Sequence, residues 1–204
     1  MCPAGMNQTT HPLDTEGVVR VDQAIETGLL ELYRKQLPAL LQRIDERWCR
    51  GIVNGDEAAN FIDVDLAWCP PLQAFARRVD ATLLGQRYGR THRLTETRLR
   101  LVAPSPLGYL NWHVDHEDGP GVFLKALVYL EDVALGEGDM AYIPGSHHYA
   151  RPGEEEILAR RLGYRRFPGR AGSAVLFDTA GVHAPSANEG REVRKTLILS
   201  CARW

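Results

Sequence analysis

The spacing of apolar residues changes near residue 93, from a helical period to a strand period. Upstream, apolar side chains recur every three or four residues, at Ile25, Leu29, Leu32, Tyr33, Leu37, Leu40, Ile44 and Trp48. This spacing is typical of an amphipathic helix. Downstream, residues 94–102 alternate between apolar and polar, as strands do. A chain whose helices precede a run of short strands is expected to be α+β and mainly β, with the strands in a sandwich or small barrel.

Proline and glycine residues suggest where these elements end. Pro38 is expected to break or kink the first apolar stripe into two helices, the second ending near Gly51. Pro70 is expected to open another helix. Short strands are predicted at residues 17–21, 94–102, 122–130, 140–143, 173–177 and 194–201.

The length of 204 residues fits one domain. We expect a loose tail at residues 1–15, followed by a single domain over residues 16–204. Within that domain, the helical flank is predicted at about 20–90 and the β core at about 93–202.

Composition excludes several classes of function. The net charge is -2 and both signs are mixed along the chain, which argues against a nucleic-acid or membrane-surface partner. No apolar run approaches membrane-spanning length, and the N-terminus lacks the apolar core of a signal peptide. Four scattered cysteines without a CxxC spacing indicate reduced thiols and a cytoplasmic location. The expected partner is a small molecule, and the expected state is a monomer or homodimer.

Three residues form a candidate metal site. His113 and Asp115 are two residues apart, so on a strand their side chains would face the same way. His183, flanked by strand-like runs, could return beside them. Two histidines and one carboxylate with open coordination positions are the facial triad of non-heme Fe(II) oxygenases. A bare His-x-Asp is a weak signal, however, and His113 and Asp115 could instead be a hydrogen-bonded pair in a loop.

Several basic residues are candidates for binding an anion. Arg194 and Thr196 would share one face of the last strand. A guanidinium with a hydroxyl suits one end of a dicarboxylate, although Arg194 could also be a surface arginine. Lys125 interrupts an apolar strand, so it would either face solvent or point inward as the partner of an anion. Arg98 and Arg100 share one face of their strand, and here we favour solvation over binding of an anionic substrate.

Several stretches taken together resemble the phytanoyl-CoA dioxygenase family of Fe(II)/2-oxoglutarate oxygenases. In chain order they are Gly17-Val-Val-Arg20, Leu83-Leu-Gly85, Trp112-His-Val-Asp115, Leu127-Val-Tyr-Leu-Glu-Asp132, Ile143-Pro-Gly-Ser-His147, Gly172-Ser-Ala-Val-Leu-Phe177, and His183 followed by Asn188, Arg191 and Arg194. Each stretch is weak alone, but in this order over residues 17–200 the set is specific.

The resemblance implies a double-stranded β-helix, the cupin-like jelly roll, with flanking N-terminal helices. It implies Fe(II) bound by His113, Asp115 and His183, and 2-oxoglutarate whose distal carboxylate is bound by Arg194 with Thr196 beside it. The implied reaction consumes O2, releases succinate and CO2, and hydroxylates a small molecule. Related halogenases replace the carboxylate ligand with a small residue, so Asp115 favours hydroxylation.

The substrate and part of the function stay open at this point. Lys125 is a further candidate for binding the co-substrate, and residues 154–170, rich in both charges, are the expected local lid. A family name does not specify the substrate. The arginines near the predicted pocket mouth suggest a polar or anionic substrate. A cupin-like protein that binds metal without turnover is an alternative. Another is a metal-dependent enzyme on the same barrel that does not use 2-oxoglutarate, which would not need Arg194 and Thr196.

Overall fold

The computed structural model describes residues 11–41, 61–65, 70–80, 92–104 and 112–203 of the chain. Its helices are α1 (Pro12–Thr15), α2 (Thr27–Leu41), α3 (Pro70–Asp80) and α4 (Glu155–Leu162). Its strands are β1 (Val18–Val21), β2 (Phe61–Asp65), β3 (His92–Val102), β4 (Phe123–Tyr129), β5 (Met140–Tyr142), β6 (Arg165–Phe167), β7 (Ala174–Asp178), β8 (His183–Pro185) and β9 (Arg194–Arg203). None of the described helices is long and apolar enough to cross a membrane.

The strands form two antiparallel sheets. The large sheet has the order β1-β7-β4-β9-β3-β2, and the small sheet has the order β6-β5-β8. Strands adjacent in space are distant in sequence, since β4 pairs with β7 on one side and β9 on the other. Two facing antiparallel sheets joined by such crossovers form a jelly roll. The predicted fold class, a mainly β double-stranded β-helix with N-terminal flanking helices, is confirmed.

Strand β4 is buried on both of its faces, because its side chains alternate between two cores. Ala126 and Val128 pack in one cluster with Tyr33 of helix α2. Leu127 points the opposite way and packs in a second cluster with Met140 of the small sheet. The large sheet therefore lies between the helices and the small sheet. Alternate residues of its inner face are directed into the space between the two sheets, where a ligand can bind.

Helix α2 runs through Pro38, so the prediction of two helices divided there is wrong. A proline inside a helix removes one hydrogen bond, at a cost of about 3 kcal/mol. Burial of Tyr33 and Leu37 against the large sheet offsets that loss. Leu32, which the sequence pattern assigned to the apolar stripe, is instead 52% exposed. The second predicted helix, beyond Leu41, falls outside the described residues.

Two elements form where the sequence pattern predicted none. Residues 12–15, expected in the tail, form α1, with the His11 ring accepting a hydrogen bond from the Leu13 N–H and with Leu13 buried. Strand β2 lies inside the expected helical flank and pairs with β3, with Asp63 opposite Arg100. This strand is short, and pairing with β3 stabilises it.

Candidate functional site

The two histidines of the predicted triad are joined through their backbones. The His113 N–H donates to the His183 carbonyl at 3.0 Å, and the His183 N–H donates back to the His113 carbonyl at 3.0 Å. This pair is an isolated antiparallel bridge. The Asp115 N–H donates in turn to the Thr179 carbonyl at 3.0 Å. Two segments about 70 residues apart in sequence therefore present their side chains to one another.

The side chains of His113, Asp115 and His183 converge. One potential ligand atom from each lies within 4.8 Å of the others. His183 Nε2 is 3.1 Å from Asp115 Oδ2, and His113 Nε2 is 3.7 Å from Asp115 Oδ1. Adjacent ligands at about 2.1 Å from a metal ion are about 3 Å apart. The three side chains are therefore spaced as ligands of one ion, and the partial exposure of His113 and Asp115 leaves one side of that ion open.

The orientation of His183 is set by its neighbours. Its Nδ1 lies 2.9 Å from the Gly181 carbonyl, and because a carbonyl only accepts, Nδ1–H must donate. Nε2, the atom that faces Asp115, is then the ring nitrogen left to bind a metal, as is usual for histidine ligands. Gly181 is required for this turn, since a Cβ at that position would lie 1.7 Å from the Tyr142 hydroxyl oxygen.

Lys125 points inward. Its register opposite Phe177 and Ser200 puts it on the inner face of β4, and its Nζ donates to Asp115 Oδ2 at 2.8 Å. Burial alone would raise the pKa of Asp115. The hydrogen bond from His183 and the charges of His183 and Lys125 outweigh that effect and hold the pKa well below its usual range. Asp115 is therefore an ionised carboxylate. The contact made by Lys125 is with this carboxylate, and co-substrate binding by Lys125 stays a prediction.

Arg194 is only 4% exposed, so it is not a surface arginine. Its Nη1 donates to the Gly138 carbonyl. Its Nε and Nη2, and the buried hydroxyl of Thr196, have no hydrogen-bond partner among the described residues. Burial lowers the pKa of Arg194 to about 10, and leaving such donors unpaired costs several kcal/mol, roughly. The arrangement is suited to an anion that would pair with them.

One pocket extends from the triad to Arg194. Its apolar wall includes Leu127, Met140, Phe177 and Ile198. These side chains come from the large and the small sheet, so the pocket lies in the space between them. A ligand there would contact the candidate metal ligands at one end and the Arg194 guanidinium at the other.

Arg98 and Arg100 also line this pocket, and the expectation that they are solvated is wrong. Asp63, 2% exposed, accepts two hydrogen bonds of 2.6 Å from Arg100 and one of 3.3 Å from Arg98. The sequence interpretation missed Asp63 because it did not identify β2. The alternation of apolar and acidic residues over 61–65 is the signal that could have revealed it.

Asp63→Asn is expected to lower the free energy of unfolding at pH 7 by roughly 2–3 kcal/mol, because it removes the shared partner of two guanidinium groups. Burial raises the pKa of Asp63, but the hydrogen bonds and charges of Arg100 and Arg98 outweigh it, so the folded pKa lies below 3.8. A carboxyl group of this kind stabilises the fold above its unfolded pKa and loses that contribution as pH falls through the folded value.

Urea unfolding at pH 7 and below pH 4 checks this prediction. The difference in free energy of unfolding between wild type and Asp63→Asn should be largest at pH 7 and should shrink at the lower pH. Asp22→Asn is the matched control, because Asp22 pairs with Arg20 but is 74% exposed. Equal effects of the two substitutions would contradict the role assigned to Asp63.

Helix α4 lies in the segment expected to act as a lid. Its Leu158 and Ala159 are buried in a cluster with Ile143 and Val182, and Trp112 packs against the same cluster. Trp112 directly precedes the ligand candidate His113. The insertion therefore rests on the segment that carries two of the candidate metal ligands, and its action as a lid stays a prediction.

Comparison with known proteins gives a consistent result. The family model of phytanoyl-CoA dioxygenase (PhyH) matches residues 13–196. The L-proline trans-4-hydroxylase of Streptomyces griseoviridis is 32% identical, over 45% of this chain and 47% of that enzyme. The chain thus spans about half the length of the curated relative that it matches.

Solved structures share the fold. The epimerase SnoN, in complex with Fe3+, alpha ketoglutarate and nogalamycin RO, has a TM-score of 0.76 and 21% identity over 94% of this chain and 81% of that chain. HygX from Streptomyces hygroscopicus, with nickel and 2-oxoglutarate bound, has a TM-score of 0.70 and 20% identity over 98% of this chain and 88% of that chain. With the family model matching nearly the whole described chain, this protein belongs to the phytanoyl-CoA dioxygenase family.

Proposed function

We propose that this protein is an Fe(II)- and 2-oxoglutarate-dependent dioxygenase that hydroxylates a small molecule. The observation that carries the proposal is the buried guanidinium of Arg194, whose Nε and Nη2 lack partners, in the same pocket as a His-Asp-His cluster. A metal-dependent enzyme that does not use 2-oxoglutarate has no need for this arginine. The family membership and the fold shared with proteins that bind iron or nickel together with 2-oxoglutarate support this metal and co-substrate, and the similarity to an L-proline trans-4-hydroxylase supports hydroxylation.

His113, Asp115 and His183 would hold the iron. The donor set suits this metal, because imidazole and carboxylate ligands on one face leave positions for a co-substrate and O2. Bound iron with 2-oxoglutarate supplies the oxidation: one oxygen atom of O2 enters the substrate C–H bond as a hydroxyl group, the other enters succinate, and CO2 leaves. Asp115 occupies the position that a halogenase needs for halide, which favours hydroxylation.

The distal carboxylate of 2-oxoglutarate would bind Arg194 and Thr196. The free Nε and Nη2 of Arg194 and the Thr196 hydroxyl are then satisfied together, and charge-assisted bonds of this kind are the strong ones. Phe177 and Leu127 belong to the apolar wall of the same pocket and would pack against the carbon chain of the co-substrate. Lys125 holds one oxygen of Asp115 and so keeps the carboxylate turned toward the two histidines.

Anaerobic titration of the protein with Fe(II) and 2-oxoglutarate tests the proposal. We expect a visible metal-to-ligand charge-transfer band, which requires the oxo acid to chelate the iron. Addition of O2 should then produce succinate. A protein that binds Fe(II) but gives no band with 2-oxoglutarate would not be an oxygenase of this class. A band without succinate formation under any condition would indicate a binding protein that lacks turnover.

A further inference from the structure

A cation and an anion stand side by side on the pocket wall formed by β3. Glu96 and Arg98 are two residues apart on the inner face of that strand, both line the pocket, and they form an ion pair. Their side chains are 33% and 38% exposed, so the pair is accessible from the pocket. Ion pairs on an inner sheet face are uncommon, because half-buried charges need partners on every side.

Hydrogen bonds with neighbouring strands hold both members of this ion pair in place. Asp63 accepts a hydrogen bond from Arg98 at 3.3 Å, and the Ser200 hydroxyl donates to Glu96 Oε2 at 3.1 Å. A guanidinium has five N–H donors, and among the described residues Arg98 uses one toward Asp63 and one toward Glu96. Both charged groups therefore keep a fixed position and retain hydrogen-bonding capacity toward the pocket.

The register of the large sheet gives the position of this pair relative to the candidate metal site. Glu96 lies opposite Ser200 on β9, and Ser200 lies opposite Lys125 on β4. Strands are about 4.8 Å apart, so Glu96 is about 10 Å across the sheet from Lys125. Lys125 contacts Asp115 directly. A small molecule held at Glu96 and Arg98 can therefore present a C–H bond to the metal site.

The charges of the pocket limit what such a molecule can be. Arg100 is paired with Asp63, Lys125 with Asp115, and Arg194 is assigned to 2-oxoglutarate. Glu96 and Arg98 also pair with one another, but their side chains, at 33% and 38% exposure, are more accessible than those of Arg100 and Lys125, each 22% exposed. Among the described lining residues, these two charges are therefore the ones assigned to the substrate. A simple anion near them meets repulsion from Glu96, and a simple cation meets repulsion from Arg98. A molecule that carries one charge of each sign satisfies both.

We propose that the substrate is a free α-amino acid whose ammonium group binds Glu96 and whose carboxylate binds Arg98. This inference rests on the proposed function, since the pair is assigned as the substrate anchor of the same oxygenase site. The sequence suggested a polar or anionic substrate, and the pocket narrows this to a molecule with one positive and one negative charge.

A panel of substrates tests the inference on the wild-type enzyme. Succinate release is measured with Fe(II), 2-oxoglutarate and O2 in the presence of each free amino acid, L-proline included, and of its N-acetyl and amide derivatives. At least one amino acid should raise succinate release. Each of its two derivatives should have a kcat/KM at least about tenfold lower than that of the parent amino acid, because each loses one charge-assisted hydrogen bond. If no amino acid raises release while the charge-transfer band still forms, the substrate inference is overturned and the proposed function stands.

Two substitutions separate recognition from a structural role. Glu96→Gln and Arg98→Gln should each raise the KM for the responding amino acid about ten- to hundredfold, with a much smaller change in kcat. In Glu96→Gln the N-acetyl derivative should lose its disadvantage against the parent amino acid, and in Arg98→Gln the amide should do so. Equal loss of activity toward all compounds would mark the pair as structural and overturn the proposal.

Glu156→Gln and Arg160→Gln are the matched controls. They alter the same kind of pair on the exposed surface of α4, where Arg160 Nη2 lies 3.0 Å from Glu156 Oε1. Neither control should change the KM or the ranking of derivatives. A shift in ranking as large as that in Glu96→Gln would contradict the assignment. The panel on the wild type remains decisive even if a pocket variant fails to fold.

Discussion

Replacing His183 with alanine is expected to lower the affinity for Fe(II) more than about 100-fold and to abolish the charge-transfer band with 2-oxoglutarate. His183 is the buried member of the triad, and its Nε2 lies 3.1 Å from Asp115. Loss of residues that merely orient a metal ligand typically costs 10–100-fold in affinity, roughly. Loss of one ligand out of three removes more. Titration calorimetry with Fe(II) under anaerobic conditions measures the effect.

His148→Ala is the control for this prediction. His148 is exposed, and its Nε2 lies 3.2 Å from the Asp14 carbonyl oxygen. This contact involves none of the three candidate metal ligands. Its replacement should leave Fe(II) affinity unchanged. Circular dichroism and thermal unfolding verify that His183→Ala remains folded, since it creates a small buried cavity. Unchanged Fe(II) affinity in folded His183→Ala would mean that the metal site lies elsewhere.

Arg194→Met is expected to have two opposite effects. The affinity for 2-oxoglutarate should fall about 100-fold, equivalent to about 2.8 kcal/mol, because the dicarboxylate loses its charged partner. The stability of the ligand-free protein should rise by about 1 kcal/mol or more. A buried guanidinium with unpaired donors is costly, and a methionine of similar length needs no partner. A residue that served only the fold would show the reverse pattern.

Thermal unfolding with and without 2-oxoglutarate, at constant Mn(II), measures both effects together. The unfolding temperature of the wild type should rise when 2-oxoglutarate is added. The unfolding temperature of Arg194→Met should be higher than that of the wild type without 2-oxoglutarate and should rise little when it is added. Arg191→Met is the matched control, because Arg191 is exposed and lies three residues away in the same segment. Loss of the 2-oxoglutarate effect in Arg191→Met rather than Arg194→Met would move the carboxylate anchor to Arg191.

Local patterns along the chain were sufficient for most of the strands. The alternation over residues 94–102 and the apolar run at 122–130 correspond to β3 and β4, whose observed bounds differ by one or two residues. Elements whose stability comes from partners were missed. Strand β2 is held by its pairing with β3, and α2 continues through Pro38 because its buried stripe packs on the sheet. Neither effect is visible in a local window of sequence.

The direction of charged side chains could not be predicted for a different reason. Lys125 lies in a strand that is apolar on both faces, so alternation cannot indicate which face is the inner one. Arg98 and Arg100 alternate with leucines, and the polar face of such a strand usually meets solvent. Here that face lines the pocket, because Asp63 neutralises it from an adjacent strand. The partner that reverses the expectation is more than 30 residues away.

By itself the sequence determined the class of fold, through the change of apolar period near residue 93, and it marked His113, Asp115 and His183 as candidate ligands. The residue types of these three positions and their order along the chain are enough to identify them as candidate ligands. Only the tertiary structure decided which charges face one another: Lys125 with Asp115, Arg98 with Glu96 and Asp63, and Arg194 with no described partner for two of its nitrogens. The physical reason is that a charge in a low-dielectric interior is governed by its nearest neighbours in space, and these are brought together by sheet pairing between distant strands.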